Sequence, residues 1–211
     1  MILSIKTAPA LIDAELNKTK NGDETIVDFF SKNIDIFEDV VLFGGAIRDI
    51  FLFGEINPDS DLDFVVRCDK ERLKKMLASF NPVENKFGGF RFLFGQRQID
   101  VWPLEETWAI KNGYSRKFGS VAAGRPSASM MDLLNTTLFN VDSVYYRVNK
   151  GNLICSTFLL NGIRNNILKL NYGSASLSYH KALSEDGYST IGAGFQATYS
   201  SLSLDVAKLT F

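Results

Sequence analysis

The chain has 211 residues, of which 45% are hydrophobic and 12% aromatic, enough to bury a substantial core in one domain with an appendage or in two small lobes. Its formal net charge is −1, its only cysteines are Cys68 and Cys155, and they form no CxxC pair, which argues against a disulfide framework or a zinc site and for two inert thiols. No run of about 18 apolar residues occurs, and Met1 to Lys6 opens no leader-like apolar core, so no membrane span is expected and a cytoplasmic location is.

Residues 1 to 22 are polar and mixed in pattern, end in Asn21-Gly22, and suggest no element. After Asp23-Glu24, the residues Ile26, Phe29, Phe30 and Ile34 share one helical face, which predicts a helix packed beneath a sheet. Val40-Val41-Leu42-Phe43 reads as a buried strand, and Gly44-Gly45 after it lets the backbone turn sharply and expose bare N–H groups. Ile47, Ile50 and Phe51 then recur at helical spacing, which sets the glycine pair at a helix N-terminus, where free N–H groups and the macrodipole favour an anion such as a triphosphate.

A loop from Gly54 to Ser60 leads into a strand from Asp61 to Val66, and alternation sends the carboxylates of Asp61 and Asp63 out of the same face, as a divalent-metal site requires. Asp69 can cap a helix with Leu73, Met76 and Leu77 inward, and Glu84 to Phe87 suggests a short strand. Phe90 to Phe94, the Gly95-Gln96 turn and Arg97 to Trp102 read as a hairpin. Should its second strand lie beside the strand of Asp61 and Asp63, Asp100 becomes a third carboxylate at one spot, enough to hold two Mg²⁺ ions for in-line phosphoryl transfer. These pieces predict an α+β architecture with a mixed sheet of about four or five strands.

The second half differs in charge. Residues 1–106 hold 13 Lys+Arg against 19 Asp+Glu, whereas residues 107–184 hold nine basic residues against Asp132 and Asp142 alone. A basic surface suits a nucleoside triphosphate or an RNA strand, although the same residues could be scattered solvated charges. A short helix through Trp108 precedes a long loop, residues 112–129, that carries Arg116, Lys117 and Arg125 without an acidic residue and reads either as a triphosphate lid or as disorder. Helical spacing returns over Met131 to Asn140. A hairpin over Val144 to Cys155 follows, then a helix capped by Ser156 and running through Gly162, and a connector or short strand over Arg164 to Leu170. The tail is consistent with two short helices, and His180, the single histidine, has no partner for nucleophilic catalysis.

Gly44-Gly45-Ala46-Ile47-Arg48-Asp49 through Gly54, followed by Asp59-Ser60-Asp61-Leu62-Asp63-Phe64-Val65-Val66, resembles the head domain of class II CCA-adding enzymes and bacterial poly(A) polymerases, in the polymerase-β-like nucleotidyltransferase superfamily. The likeness runs from about Asp39 to Leu170, tightly before residue 67, and includes Met130-Met131-Asp132 in the place of the family's Arg-Arg-Asp helix start. Taken with the pattern along the chain, it divides the sequence into an N-terminal segment over 1–22, a catalytic core over 23–111, the basic loop over 112–129, a second part of the head over 130–170 and a short helical appendage over 171–211.

By the same resemblance Asp61, Asp63 and Asp100 ligate Mg²⁺, with Mn²⁺ able to substitute. Gly44 and Gly45 hold the triphosphate, and Arg48 contacts phosphate or braces the carboxylates with Asp49 as its structural partner. Arg116, Lys117 and Arg125 are expected to serve the nucleotide from the charge of their loop and not from the resemblance. The implied reaction is attack of a hydroxyl, most readily an RNA 3′-OH of a tRNA-like acceptor, on the α-phosphate of an NTP. A protein or small-molecule acceptor, as in toxin-type or antibiotic-modifying enzymes, is the alternative, and an inactive nucleotide-binding module is a further one. Glu185-Asp186-Gly187-Tyr188-Ser189 lacks the arginine of the family's base-reading element, so an oligomer or partner chain could supply the acceptor-binding surface.

Overall fold

A computed structural model of the chain describes residues 4–85, 87–111, 128–137, 139–165, 167–168 and 207–208. The N-terminal segment, for which the sequence suggested no element, forms helix α1 (Ala8–Lys18), with Pro9 in its first turn, where a missing N–H breaks no intrahelical bond. Ala8, Ile12 and Leu16, four apart, are its fully buried stripe, and the Tyr146 hydroxyl donates to the Asp13 carboxylate and ties the helix to the sheet.

A two-residue ladder, β1 (Lys20–Asn21) with β2 (Glu24–Thr25), turns the chain into α2 (Ile26–Lys32). Thr25 and Asp28 close a capping box over that helix start: Asp28 N–H donates to Thr25 Oγ1 at 3.0 Å and Thr25 N–H to Asp28 Oδ2 at 3.2 Å. The single helix expected here is broken at Asn33, and α3 (Ile34–Phe37) follows as a separate turn that buries Phe37.

The main sheet holds β3 (Val40–Phe43), β4 (Leu62–Val66), β5 (Val83–Glu84), β6 (Phe90–Phe94), β7 (Arg97–Pro103), β8 (Val144–Arg147) and β9 (Asn152–Cys155). Their order is β5-β6-β7-β4-β3-β8-β9, with β4 and β7 parallel and every other neighbouring pair antiparallel. Of the five strands anticipated between residues 40 and 102 four are present close to their expected bounds, while the short strand expected over Glu84 to Phe87 is instead Val83–Glu84, because the chain turns at Asn85, whose side chain accepts from the N–H groups of Phe87 and Gly89. The sheet reaches seven because the 144–155 hairpin pairs along the free edge of β3, a long-range pairing that local periodicity does not encode.

Alternation along the strands sorts side chains to two faces. Leu42, Leu62, Phe64, Ile99, Val101, Phe90, Phe92 and Phe94 pack against α1, α2, α4 (Gly45–Phe53) and α5 (Lys70–Leu77) in the larger core. Phe29, Phe30, Phe64, Phe80, Phe92 and Phe94 meet there at ring centroids 4.7 to 5.8 Å apart. The opposite face buries Val41, Val65 and Tyr145 under Ala128, Met130, Leu133 and Leu134, and leaves the Asp63 and Asp100 end of β4 and β7 for polar groups.

Four-residue α6 (Trp108–Lys111) and α7 (Leu133–Thr136) flank the undescribed stretch 112–127. The helix expected over Met131 to Asn140 is thus a 3₁₀ turn, Met130–Asp132, followed by α7, which stops before Thr137 turns extended. Helix α8 (Thr157–Asn165) runs one turn past the expected Gly162 end, and β10 (Ile167–Leu168) pairs with β11 (Ala207–Lys208). The two tail helices expected elsewhere after residue 170 fall outside the described residues, while Ala207–Lys208 is strand. Among the described residues no helix is long and apolar enough to cross a membrane.

Candidate active site

Parallel pairing of β4 with β7 places Asp63 directly across from Asp100. Asp61, one residue ahead of β4, has the same parity as Asp63, and one carboxylate oxygen from each of Asp61, Asp63 and Asp100 lies within 4.8 Å of the others. The three predicted carboxylates therefore do converge. Asp100 is 2% exposed, and burial, with repulsion from Asp61 and Asp100, pushes the Asp63 carboxyl well above the usual carboxylate range. A donor set made only of hard carboxylate oxygens, with one member held up by its neighbours' negative charge, fits Mg²⁺ or Mn²⁺ and not a thiolate-seeking metal.

Helix α4 carries the glycine turn and the arginine that the sequence singles out. Gly44, its N-cap, has φ 77° and ψ −133°, a conformation that any Cβ would strain, and its carbonyl accepts the first helical N–H groups, those of Ile47 and Arg48. Arg48, one turn on, folds back over Gly45, with Nη2 3.2 Å from where a Cβ would stand. Its Nη1 donates to Asp142 Oδ1 at 2.7 Å, and its Nη2 lies 3.5 Å from Asp49 Oδ1. The expected Arg48–Asp49 pairing is present, and the shorter partner is Asp142, 94 residues away in the turn before β8. Burial pushes the Asp142 and Asp49 carboxyls up, while Arg48 draws both back down.

Two further arginines of this neighbourhood were not singled out in the sequence. Arg91 on β6 stands opposite Asp100 and grips it with a two-pronged fork, Nε to Oδ1 at 2.8 Å and Nη2 to Oδ2 at 2.7 Å, with Asp61 Oδ2 3.7 Å from the same Nη2. The signal was available: in the run Phe90-Arg91-Phe92-Leu93-Phe94 the apolar residues Phe90, Phe92 and Phe94 are buried and Arg91 is left on the carboxylate face. Arg97 donates to the Pro58 carbonyl and, at 2.8 Å, to the Asn57 carbonyl, and Gln98 Nε2 donates to Asp61 Oδ2 at 3.1 Å. The start of β7 thereby holds the loop that delivers Asp61.

Arg116, Lys117 and Arg125 lie outside the described residues. Elsewhere in the basic half, Lys111 is paired with Glu106 at 2.6 Å and Arg147 with Asp39 at 3.4 Å, so neither is a free cation, while Lys150 and Arg164 are exposed. Asp132 is 1% exposed and caps its own turn, accepting from Ser129 N–H at 2.7 Å, with Met130 in the core beside it. Cys68 and Cys155 are free thiols, and burial pushes Cys68 up to about 12.

No protein-family model and no curated protein matches the chain. Among solved structures, a tRNA nucleotidyltransferase complexed with a primer tRNA and an incoming ATP analog is 18% identical over 85% of this chain and 51% of its own, with a TM-score of 0.51. The Thermotoga maritima CCA-adding enzyme complexed with tRNA is 16% identical over 88% of this chain and 40% of its own, at 0.50. A tRNA-processing enzyme complex is 18% identical over 84% and 47%, also at 0.50. The chain spans about half or less of the length of these solved chains. At such identities the likeness establishes the fold alone, an α+β arrangement of a mixed sheet flanked by helices that this chain shares with the matched parts of those structures.

Proposed function

We propose that the protein is a metal-dependent nucleotidyltransferase that moves an NMP from an NTP to the 3′-hydroxyl of a tRNA-like RNA, with release of pyrophosphate. The observation that carries this reading is the convergence of Asp61, Asp63 and Asp100 within 4.8 Å on two adjacent parallel strands, in a fold shared with tRNA nucleotidyltransferases. In this reading the three carboxylates hold Mg²⁺, which when bound supplies charge neutralisation at the α-phosphate and lowers the pKa of the attacking hydroxyl.

The chain's own groups do the rest. Past Gly44, whose own N–H is donated to the Val144 carbonyl at 3.4 Å, the α4 N-terminus offers N–H donors to the triphosphate. Arg48, held by Asp142 and Asp49, keeps a fixed positive charge beside that turn. Arg97 and Gln98 brace the 57–61 loop so that Asp61 keeps its place as charge develops. Arg116, Lys117 and Arg125 belong to this proposal as nucleotide contacts, on their charge alone.

Incubation with each α-labelled NTP, Mg²⁺ or Mn²⁺ and total cell lysate, against the Asp61→Ala/Asp63→Ala variant, tests the reading. Label in RNA that the variant loses is the expected outcome. Label in protein or small molecules would move the acceptor to another class while keeping the chemistry, and no label above the variant would overturn the proposal.

A further inference from the structure

Asp100 is the most buried of the three carboxylates, and each of its oxygens accepts a hydrogen bond from one guanidinium. Arg91 supplies a charge-assisted hydrogen bond to each, and the same guanidinium lies 3.7 Å from Asp61. Arg91 is itself half exposed, with 50% of its side chain accessible against 3% for Asp100, so the fork approaches from the open side of the site and can leave without disturbing the core. A planar guanidinium that matches a carboxylate in two prongs matches a phosphate equally well. It is the group on this face whose present partner is an acid and whose alternative partner is the substrate's own anion.

We propose that Arg91 is a positioning residue that stands in for the metal at Asp100 when no nucleotide is bound, and makes divalent-cation binding depend on nucleotide arrival by transferring its fork to the triphosphate. This rests on the reading of Asp61, Asp63 and Asp100 as the metal site. Without nucleotide, a divalent ion meets Asp61 and Asp63 but at Asp100 competes with the two hydrogen bonds and the positive charge of the Arg91 fork. With nucleotide, the guanidinium has phosphate oxygens to take up, and Asp100 is released to the ion. The coupling is reciprocal, so the metal tightens nucleotide binding by the same factor.

The test is Mn²⁺ binding, followed by electron paramagnetic resonance at pH 8, to the wild-type chain, to Arg91→Leu and to Arg91→Lys, each with and without a non-hydrolysable NTP analogue. Arg91→Leu should bind Mn²⁺ about tenfold more tightly than wild type without nucleotide, the equivalent of about 1.4 kcal/mol. The analogue should then raise Mn²⁺ affinity strongly in wild type and little in Arg91→Leu. Arg91→Lys keeps the charge but gives up the fork, and should fall between the two; it carries the test if Arg91→Leu does not fold. Equal Mn²⁺ affinity in wild type and variants overturns the role of Arg91 and leaves the metal site standing. Mn²⁺ binding no better than that of Asp61→Ala/Asp63→Ala, in every chain, overturns the metal site and the proposal together.

Discussion

Asp63 illustrates how a functional carboxylate burdens the fold that carries it. Its folded-state pKa lies well above the unfolded value, first through burial and then through Asp61 and Asp100. The native state therefore binds a proton that the unfolded state has released, and between the unfolded and folded pKa values stability falls as pH rises. Asp63→Asn removes that slope. In chelator-treated protein the variant should be more stable than wild type at pH 7, because it carries no carboxyl to be ionised in the buried site. The gap should shrink toward zero as pH drops to the unfolded pKa of an ordinary carboxylate. Urea midpoints from pH 4 to pH 8 check this, and a gap that widened toward acid would contradict it. The same substitution should lower nucleotidyl transfer by about 10³-fold or more, since it takes a charged ligand from the proposed metal site.

At the scale of the element, α4 does two jobs with one N-terminus. Its buried face, Ala46, Ile47, Ile50 and Phe51, fixes the helix against the sheet, and Gly44 then decides where its free N–H groups point. With φ 77° and ψ −133°, Gly44 sits where an alanine is strained although no atom lies within 4 Å of its Cβ position. Gly44→Ala should cost about 1–3 kcal/mol of stability, from strain alone. If the turn holds the triphosphate, the variant should also raise the KM for NTP several-fold, which steady-state kinetics on the folded fraction would show. A stability loss with KM unchanged would limit Gly44 to a structural role.

Over the whole molecule, the site is made where three separated stretches of chain meet. β4 and β7 bring the carboxylates, β6 brings Arg91, and the turn before β8 brings Asp142 to Arg48. The aromatic core under that sheet is closed by α1, whose Ile12 is 0% exposed. Ile12→Ala should destabilise the fold by about 2–4 kcal/mol through lost burial and a cavity. Because α1 packs on the helical face and the carboxylates stand on the other, the Mn²⁺ affinity of the folded protein should stay within about twofold of wild type, less than the ~1 kcal/mol that a change at the site itself brings. Denaturation and Mn²⁺ titration on the same sample separate the two.

Local pattern determined more of this protein than pairing did. The alternation in residues 40–43, 61–66 and 90–102, the glycine turn and the Asp-x-Asp spacing specified four strands, the α4 start and the shared face of Asp61 and Asp63, because each is a short-range property of strand and turn geometry, whereas the arrival of Asp100 beside them waited on the pairing of β4 with β7. Even α1 was readable in principle, since Ala8, Ile12 and Leu16 lie four apart, but Asp13, Glu15 and Lys18 among them gave the stretch a polar look. Only the tertiary structure decided which strand edges meet and which charges pair. The hairpin of β8 and β9 joined β3, Asp142 took Arg48, and Lys111 and Arg147 were spent on Glu106 and Asp39 in place of a polyanion surface. Arg91 shows the reason most simply. Its place opposite Asp100 follows from the register of β6 on β7, but its hold on both oxygens depends on Asp100 being buried beside Asp63, a neighbour brought in by a strand some forty residues earlier.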